Sequence, residues 1–110
     1  MDSYEVIISP HALSQLNDYV SYIQYTLFND QAAESVWQDA LDTSAQLESS
    51  AGSLRFCKHP KLKELGYRPL FFLHHDYVML YRTENLVAYV DAVYHQLQDY
   101  ENLFALEFSE

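Results

Sequence analysis

The sequence predicts an α+β domain of order β-α-α-β-β-β, a helical hairpin packed on one face of a small, largely antiparallel four-stranded sheet. Three observations carry this reading. Residues 67–95, YRPLFFLHHDYVMLYRTENLVAYVDAVYH, are rich in Tyr, Phe, Val and Leu and are cut twice by short polar clusters, which reads as three strands and two hairpins. Two stretches before them repeat apolar residues at steps of three and four, the period of a helix. A short run, YEVII at 4–8, adds a first strand. Helices followed by a meander place the helices on one side of the sheet.

Taken in order, Ser9 caps the first helix and Pro10 suits its first turn, where no N–H bond is lost. Leu13, Leu16, Val20, Ile23 and Leu27 form its stripe, widened by Tyr19, Tyr22 and Tyr25. Asn29 and Asp30 break the pattern, and Asp30 is the expected cap of a second helix. There the stripe is Ala33, Val36, Trp37, Ala40, Leu41, Ser44 and Leu47, with Trp37 expected to anchor the core. SSAGS at 49–53 ends that helix, and residues 54–66 form a basic connector. Pro69 cannot donate to a ladder, so the strand at 67–73 belongs at an edge. The tail 96–110, with Leu97, Tyr100, Leu103, Phe104 and Phe108, reads as a C-terminal docking helix or a frayed end.

The two breaks fall at His74, His75 and Asp76 and at Thr83, Glu84 and Asn85. The second sets a register in which Arg82 faces Val87, Leu80 faces Tyr89 and Val78 faces Asp91. Strict alternation then puts Tyr77, Met79, Tyr81, Ala88, Val90, Ala92 and Tyr94 against the helices. Val78, Leu80, Arg82, Val87, Tyr89, Asp91, Val93 and His95 fall on the other face, expected to be half open and free for a partner or substrate.

Composition bounds the function. The 110 residues make a single domain, 1–110, and an apolar fraction of 49% argues against disorder. Cys57 is alone, so no internal disulfide forms; with no signal peptide and no long apolar run, a cytoplasmic location is expected. One Cys and five scattered His fall short of a zinc pattern, so no metal or cofactor is implied. A net charge of −10, spread evenly, would repel nucleic acid and anionic membrane. It is not even: all six Lys and Arg lie within residues 55–82, against only Glu64 and Asp76, while the other 14 acids lie outside. The island is either a solubilising loop or a local anion site.

Three motifs add a resemblance. LGYR at 65–68, DYVMLYR at 76–82 and VYHQLQDY at 93–100, in this order and spacing, resemble the RelE/ParE superfamily of toxins from type II toxin–antitoxin systems, the plasmid stabilisation proteins, over nearly the whole chain. The resemblance implies a small growth-inhibiting toxin held inactive by a cognate antitoxin that wraps the sheet and helices. RelE-like members cut mRNA on the ribosome without a metal. The ribose 2′-OH attacks the adjacent phosphate, so the site must take a proton, neutralise the phosphorane and protonate the leaving oxygen. ParE-like members poison DNA gyrase. Relatives that cut place an Arg after the Tyr of the third strand and basic or His/Tyr groups at the end of the fourth, where this chain has Tyr94 and His95. Here Val78 follows Tyr77, and Gln96 and Gln98 stand where Arg is common. The ParE-like reading is therefore preferred, with a RelE-like ribonuclease or a member that only binds antitoxin as alternatives.

Candidate site residues follow. His95 titrates near neutrality and is the first proton-transfer candidate; the competing role is a strand-end His bonded to Asp99 or a carbonyl. Tyr94 could donate a proton or stack on a base, or serve the core. Asp91 lies four strand residues from His95, roughly 13 Å, so it is no triad partner; Arg68 or Arg82 would pair with it. A three-residue loop at 74–76 sets Arg68 opposite Arg82, whereas a two-residue loop puts them on opposite faces. Lys58, His59, Lys61 and Lys63 would extend their patch toward a partner, or form a solvated connector.

Overall fold

A computed structural model describes residues 3–108; the last two residues of the 96–110 tail lie outside the described residues. The elements are β1 (Glu5–Ile8), α1 (Pro10–Ser21) continuing into a π-helical turn (Tyr22–Thr26), α2 (Asp30–Ala45), the single turn α3 (Leu47–Ser50), α4 (Pro60–Glu64), β2 (Arg68–Phe71), β3 (Tyr77–Glu84), β4 (Val87–His95), α5 (Tyr100–Ala105) and a 3-10 turn (Leu106–Phe108). The sheet order is β1-β4-β3-β2, with β1 parallel to β4 and the other two pairs antiparallel. The fold is thus α+β, and Pro69 sits on the edge strand β2. No helix of the described residues is long and apolar enough to cross a membrane.

Local chemistry accounts for the helix starts. Ser9 accepts the Ala12 N–H on its hydroxyl, with Pro10 opening the first turn. At α2 the cap is Asn29, whose side-chain oxygen accepts the Ala32 N–H at 3.0 Å; Asp30, expected to cap, is instead the first helical residue. Its carboxylate there faces the positive end of the helix dipole.

The helix stripes face the core as expected but are narrower. Ala12, Leu16, Ala33, Val36, Ala40 and Leu47 are buried, while Leu13, Leu27, Trp37 and Leu41 are exposed. Trp37, at 38% exposure, does not anchor the core. Small side chains hold the centre of the contact and let the helices approach the sheet. Trp37 and Leu41, each a residue and so about 100° past Val36 and Ala40, are turned to the margin.

The β3–β4 hairpin closes two residues later than expected. Glu84 pairs with Val87 and Arg82 with Tyr89, leaving Asn85 and Leu86 as a two-residue turn with φ of 50° and 62°. Positive φ at both central residues matches the right-handed strand twist. A shift of two residues preserves the faces, but a bulge does not. Tyr81 pairs with Val90 and Leu80 with Ala92, so Asp91 is an extra residue. Beyond it every side chain changes face. Val93 packs on the helix side with Met79 and Val90, whereas Ala92 and Tyr94 join Val78 and Leu80 on the other. Ala92, Val93, Tyr94 and His95 therefore lie on the faces opposite to those that alternation alone assigns.

That second face is not open. Cys57 from the connector, Leu62 of α4, and Phe104 and Ala105 of α5 cover it, with Tyr67, to form a second core. Tyr67 and Phe104 meet edge to face at 4.9 Å. Burial, then the nearby Glu101 charge, push the Cys57 thiol up to about 12, which makes it inert.

The loop between β2 and β3 is tied to α2 by one buried carboxylate. Asp39 accepts from the His75 ring at 2.7 Å, the His74 N–H at 3.0 Å and the Thr43 hydroxyl at 3.2 Å. Burial raises its pKa, but the bonds from His75, His74 and Thr43 outweigh that and hold it below the ordinary value. A depressed carboxyl pKa contributes stability that is present above the unfolded value and lost as pH falls through the folded one. Asp39→Ala should therefore cost about 3 kcal/mol in urea unfolding near neutrality, because buried donors lose their acceptor. Its deficit relative to wild type should shrink only below about pH 4. A deficit constant to lower pH would mean that Asp39 is not charged in the native state.

Candidate functional site

The bulge in β4 builds a polar cluster on the second face. It aims the Asp91 carboxylate between β2 and β3, where Tyr67 donates to Oδ2 at 2.6 Å and Arg82 Nε donates to the same oxygen at 3.3 Å. Arg82 also donates to Glu84 at 3.1 Å, and its guanidinium lies 4.6 Å from the centre of the Tyr89 ring. Burial, followed by the Asp91 bond, pushes the Tyr67 hydroxyl well above the usual tyrosine range, so it is a fixed donor. Arg82 is held in its charged form by Glu84 and Asp91 against the opposing effect of burial. Two carboxylates and a ring thus engage the cation.

Arg68 is elsewhere. It pairs with Tyr81 and so lies on the helix face, opposite to Arg82, a question the loop length left open. Its guanidinium donates to the Leu54 carbonyl at 2.7 Å and stacks 4.2 Å from the Phe56 ring centre, while its Nε is buried without a partner. Tyr94 is buried at 7% exposure and donates to Glu107 at 3.0 Å. Burial and then Glu107 raise its pKa far out of reach of neutral proton transfer.

His95 ends β4 beside the helix hairpin. Its Nδ1 accepts the Leu97 N–H at 3.1 Å, and its ring meets Tyr77 edge-on at 5.2 Å. It lines a cleft with Ile23, Val36, His74, His75 and Tyr77, away from both arginines. The polar residues that follow serve the strand end: Gln96 donates to the Tyr77 carbonyl at 3.0 Å, and Gln98 accepts from Tyr19 at 2.7 Å and from the His95 N–H at 2.9 Å.

The Lys cluster is partly structural. Glu101 of α5 accepts the Lys58 and His59 N–H groups at 2.8 and 2.7 Å, and His59 caps α4 by accepting the Lys61 N–H. The Lys58, Lys61 and Lys63 side chains are on exposed residues. Near β2, a groove is lined by Arg55, Phe56, Lys58, Pro69, Phe71, Tyr100 and Glu101. No group of three or more His, Cys, Asp or Glu among the described residues is placed to hold a metal.

Sequence reasoning thus named Asp91, Arg82 and His95 but missed Tyr67, Asp39, His75, Glu101 and Glu107. Asp39 and Thr43 carried a signal: they stand three residues after Val36 and Ala40, within the helix stripe. Because Arg68 and Arg82 share no partner and occupy opposite faces, the stability losses of Arg68→Ala and Arg82→Ala should add to within about 0.5 kcal/mol in the double variant. Coupling well beyond that in denaturant titrations would mean that one site joins them.

The comparisons with known proteins fit this architecture. No curated protein matches. Among solved structures, the chromosomal ParDE TA system from P. aeruginosa superposes with a TM-score of 0.71 at 15% identity, over 84% of this chain and 96% of that one. At that identity the likeness is one of fold. The family described as ParE toxin of type II toxin–antitoxin system, parDE, matches over residues 6–100, most of the length, and the chain therefore belongs to that family.

Proposed function

We propose that this type II toxin inhibits growth by binding DNA gyrase rather than by cutting RNA, and that a cognate antitoxin neutralises it. The observation that carries the reading is the dispersal of the cations. Cleavage needs preorganised positive charge where the phosphorane forms. Arg68 and Arg82 are on opposite faces, Arg82 is held by Asp91 and Glu84, and the strand end near His95 is lined by neutral amides. A binding-type toxin has no such requirement.

Induction of the chain should stop supercoiling by purified gyrase and leave mRNA uncut in primer extension on ribosomes. Cleavage that His95→Ala abolishes would reverse the assignment in favour of the RelE-like reading, with the imidazole moving the proton. Antitoxin binding without either effect would leave the binding-only alternative.

For the antitoxin, the groove beside β2 supports an extended acidic and apolar segment. It offers the exposed aromatic faces of Phe56 and Phe71 beside Arg55 and Lys58, next to an edge strand. Phe71→Ser should weaken capture of the antitoxin about tenfold or more, the usual loss at an anchoring aromatic. An unchanged affinity in calorimetry would move the docking surface elsewhere.

A further inference from the structure

On the outer side of α2, well away from the arginines, three side chains line up in a relay. Ser35 and Asp39 are four residues apart and share a helix face. The Asp39 carboxylate lies 2.7 Å from His75 Nδ1, and His75 Nε2 lies 3.4 Å from the Ser35 hydroxyl. Asp39 is 2% exposed and further bonded by the His74 N–H and Thr43, so its position is set from three sides. A carboxylate only accepts, so the shared proton sits on Nδ1, and in the neutral ring the Nε2 lone pair faces Ser35. Ser35 is exposed, in a shallow groove with Gln31, Glu34, Gln38, Asp42 and His74.

We propose that Ser35 is a nucleophile and His75 its general base, with Asp39 as positioning residue, acting on small uncharged or cationic acyl and phosphonyl electrophiles. The residue roles are those of a serine-hydrolase triad, which is recognised by geometry and not by chain order. The Ser35 oxygen bonds to the acyl carbon as its proton passes to His75 Nε2. The ester C–O bond then breaks, and the leaving alkoxide takes that proton. Water, deprotonated by the same nitrogen, later releases the acid and restores Ser35. Glu34 and Asp42 on the rim repel anionic substrates. Gln31 and Gln38 line the groove, and the Gln38 amide already donates to Asp42 at 3.0 Å. Each missing oxyanion donor costs about 10²- to 10³-fold, so the expected behaviour is slow labelling of Ser35 and slower turnover.

The test is reaction of the purified full chain with a fluorophosphonate probe. The Ser35 oxygen–phosphorus bond forms, fluoride leaves, and the proton goes to His75. Mass spectrometry should place the label on Ser35, and Ser35→Ala should lose it without change in circular dichroism. His75→Gln, whose amide still donates to Asp39, should slow labelling at least about tenfold. Asp39→Asn, whose oxygen still accepts from the His74 N–H and from Nδ1–H but without charge, should slow it too and move the pH profile of labelling. Absence of label on Ser35 overturns the proposal. Labelling at the wild-type rate in folded His75→Gln, or in folded Asp39→Asn with an unchanged pH profile, also overturns it and leaves the contact as a fastener between helix and loop.

Discussion

The extra residue at Asp91 decides how this chain can fold around one sheet and still fill two cores. β4 is an inner strand, parallel to β1 on one side and antiparallel to β3 on the other. Before the bulge, Ala88 and Val90 serve the helix side; after it, Val93 does so and Ala92 and Tyr94 turn away. The bulge frees ladder groups that would be costly to leave unpaired. Gln15 of α1 takes the Val93 N–H at 2.8 Å, and the Ser9 N–H pairs with the Val90 carbonyl at 2.9 Å. The helix that covers the first core thus also repairs the strand that supplies the second.

Charge follows the same logic. The basic island that stands out in the sequence is taken apart on folding. Arg82 is spent on two acids, Arg68 on a carbonyl and a ring, and the backbone at Lys58 and His59 on Glu101. What stays exposed is a scatter of lysines and Arg55, of which Arg55 and Lys58 lie beside β2. A catalytic phosphate site requires charge held in place before the reaction; a protein-binding face requires only that charge and apolar surface be reachable.

The legible parts of the fold were those with local causes. Ser9 and Pro10 mark a helix start wherever they stand before an apolar stripe, and Pro69 marks an edge because it lacks a donor. The bulge left no such mark. The run VAYVDAVYH alternates through Asp91 without Gly or Pro, and only the charge in an apolar strand is odd. Asp91 with Arg82 was legible because a buried acid needs a partner. Tyr67 at the same carboxylate, Asp39 with His75, and Glu107 with Tyr94 were not. Those contacts join residues 24, 36 and 13 positions apart, and the faces they use depend on the bulge and on how the tail docks.

The end of β4 shows why a shared topology does not carry a shared chemistry. Gln98 Oε1 accepts two hydrogen bonds, one from the Tyr19 hydroxyl and one from the His95 backbone. Arginine has five donors and no acceptor. An Arg at this position would bring phosphate-neutralising charge but would leave both donors without their oxygen, loosening the contact between α1 and the strand end. Gln96 likewise closes the Tyr77 carbonyl from the opposite side. The two amides are thus not an Arg pair that has merely lost its charge; they complete a different local design, in which the strand end fastens the helix hairpin to the sheet. Placing a cation at position 98 would take a new acceptor for Tyr19 and for the His95 N–H. At 15% identity the solved ParDE structure shares the fold with this chain without fixing the side chains at this strand end.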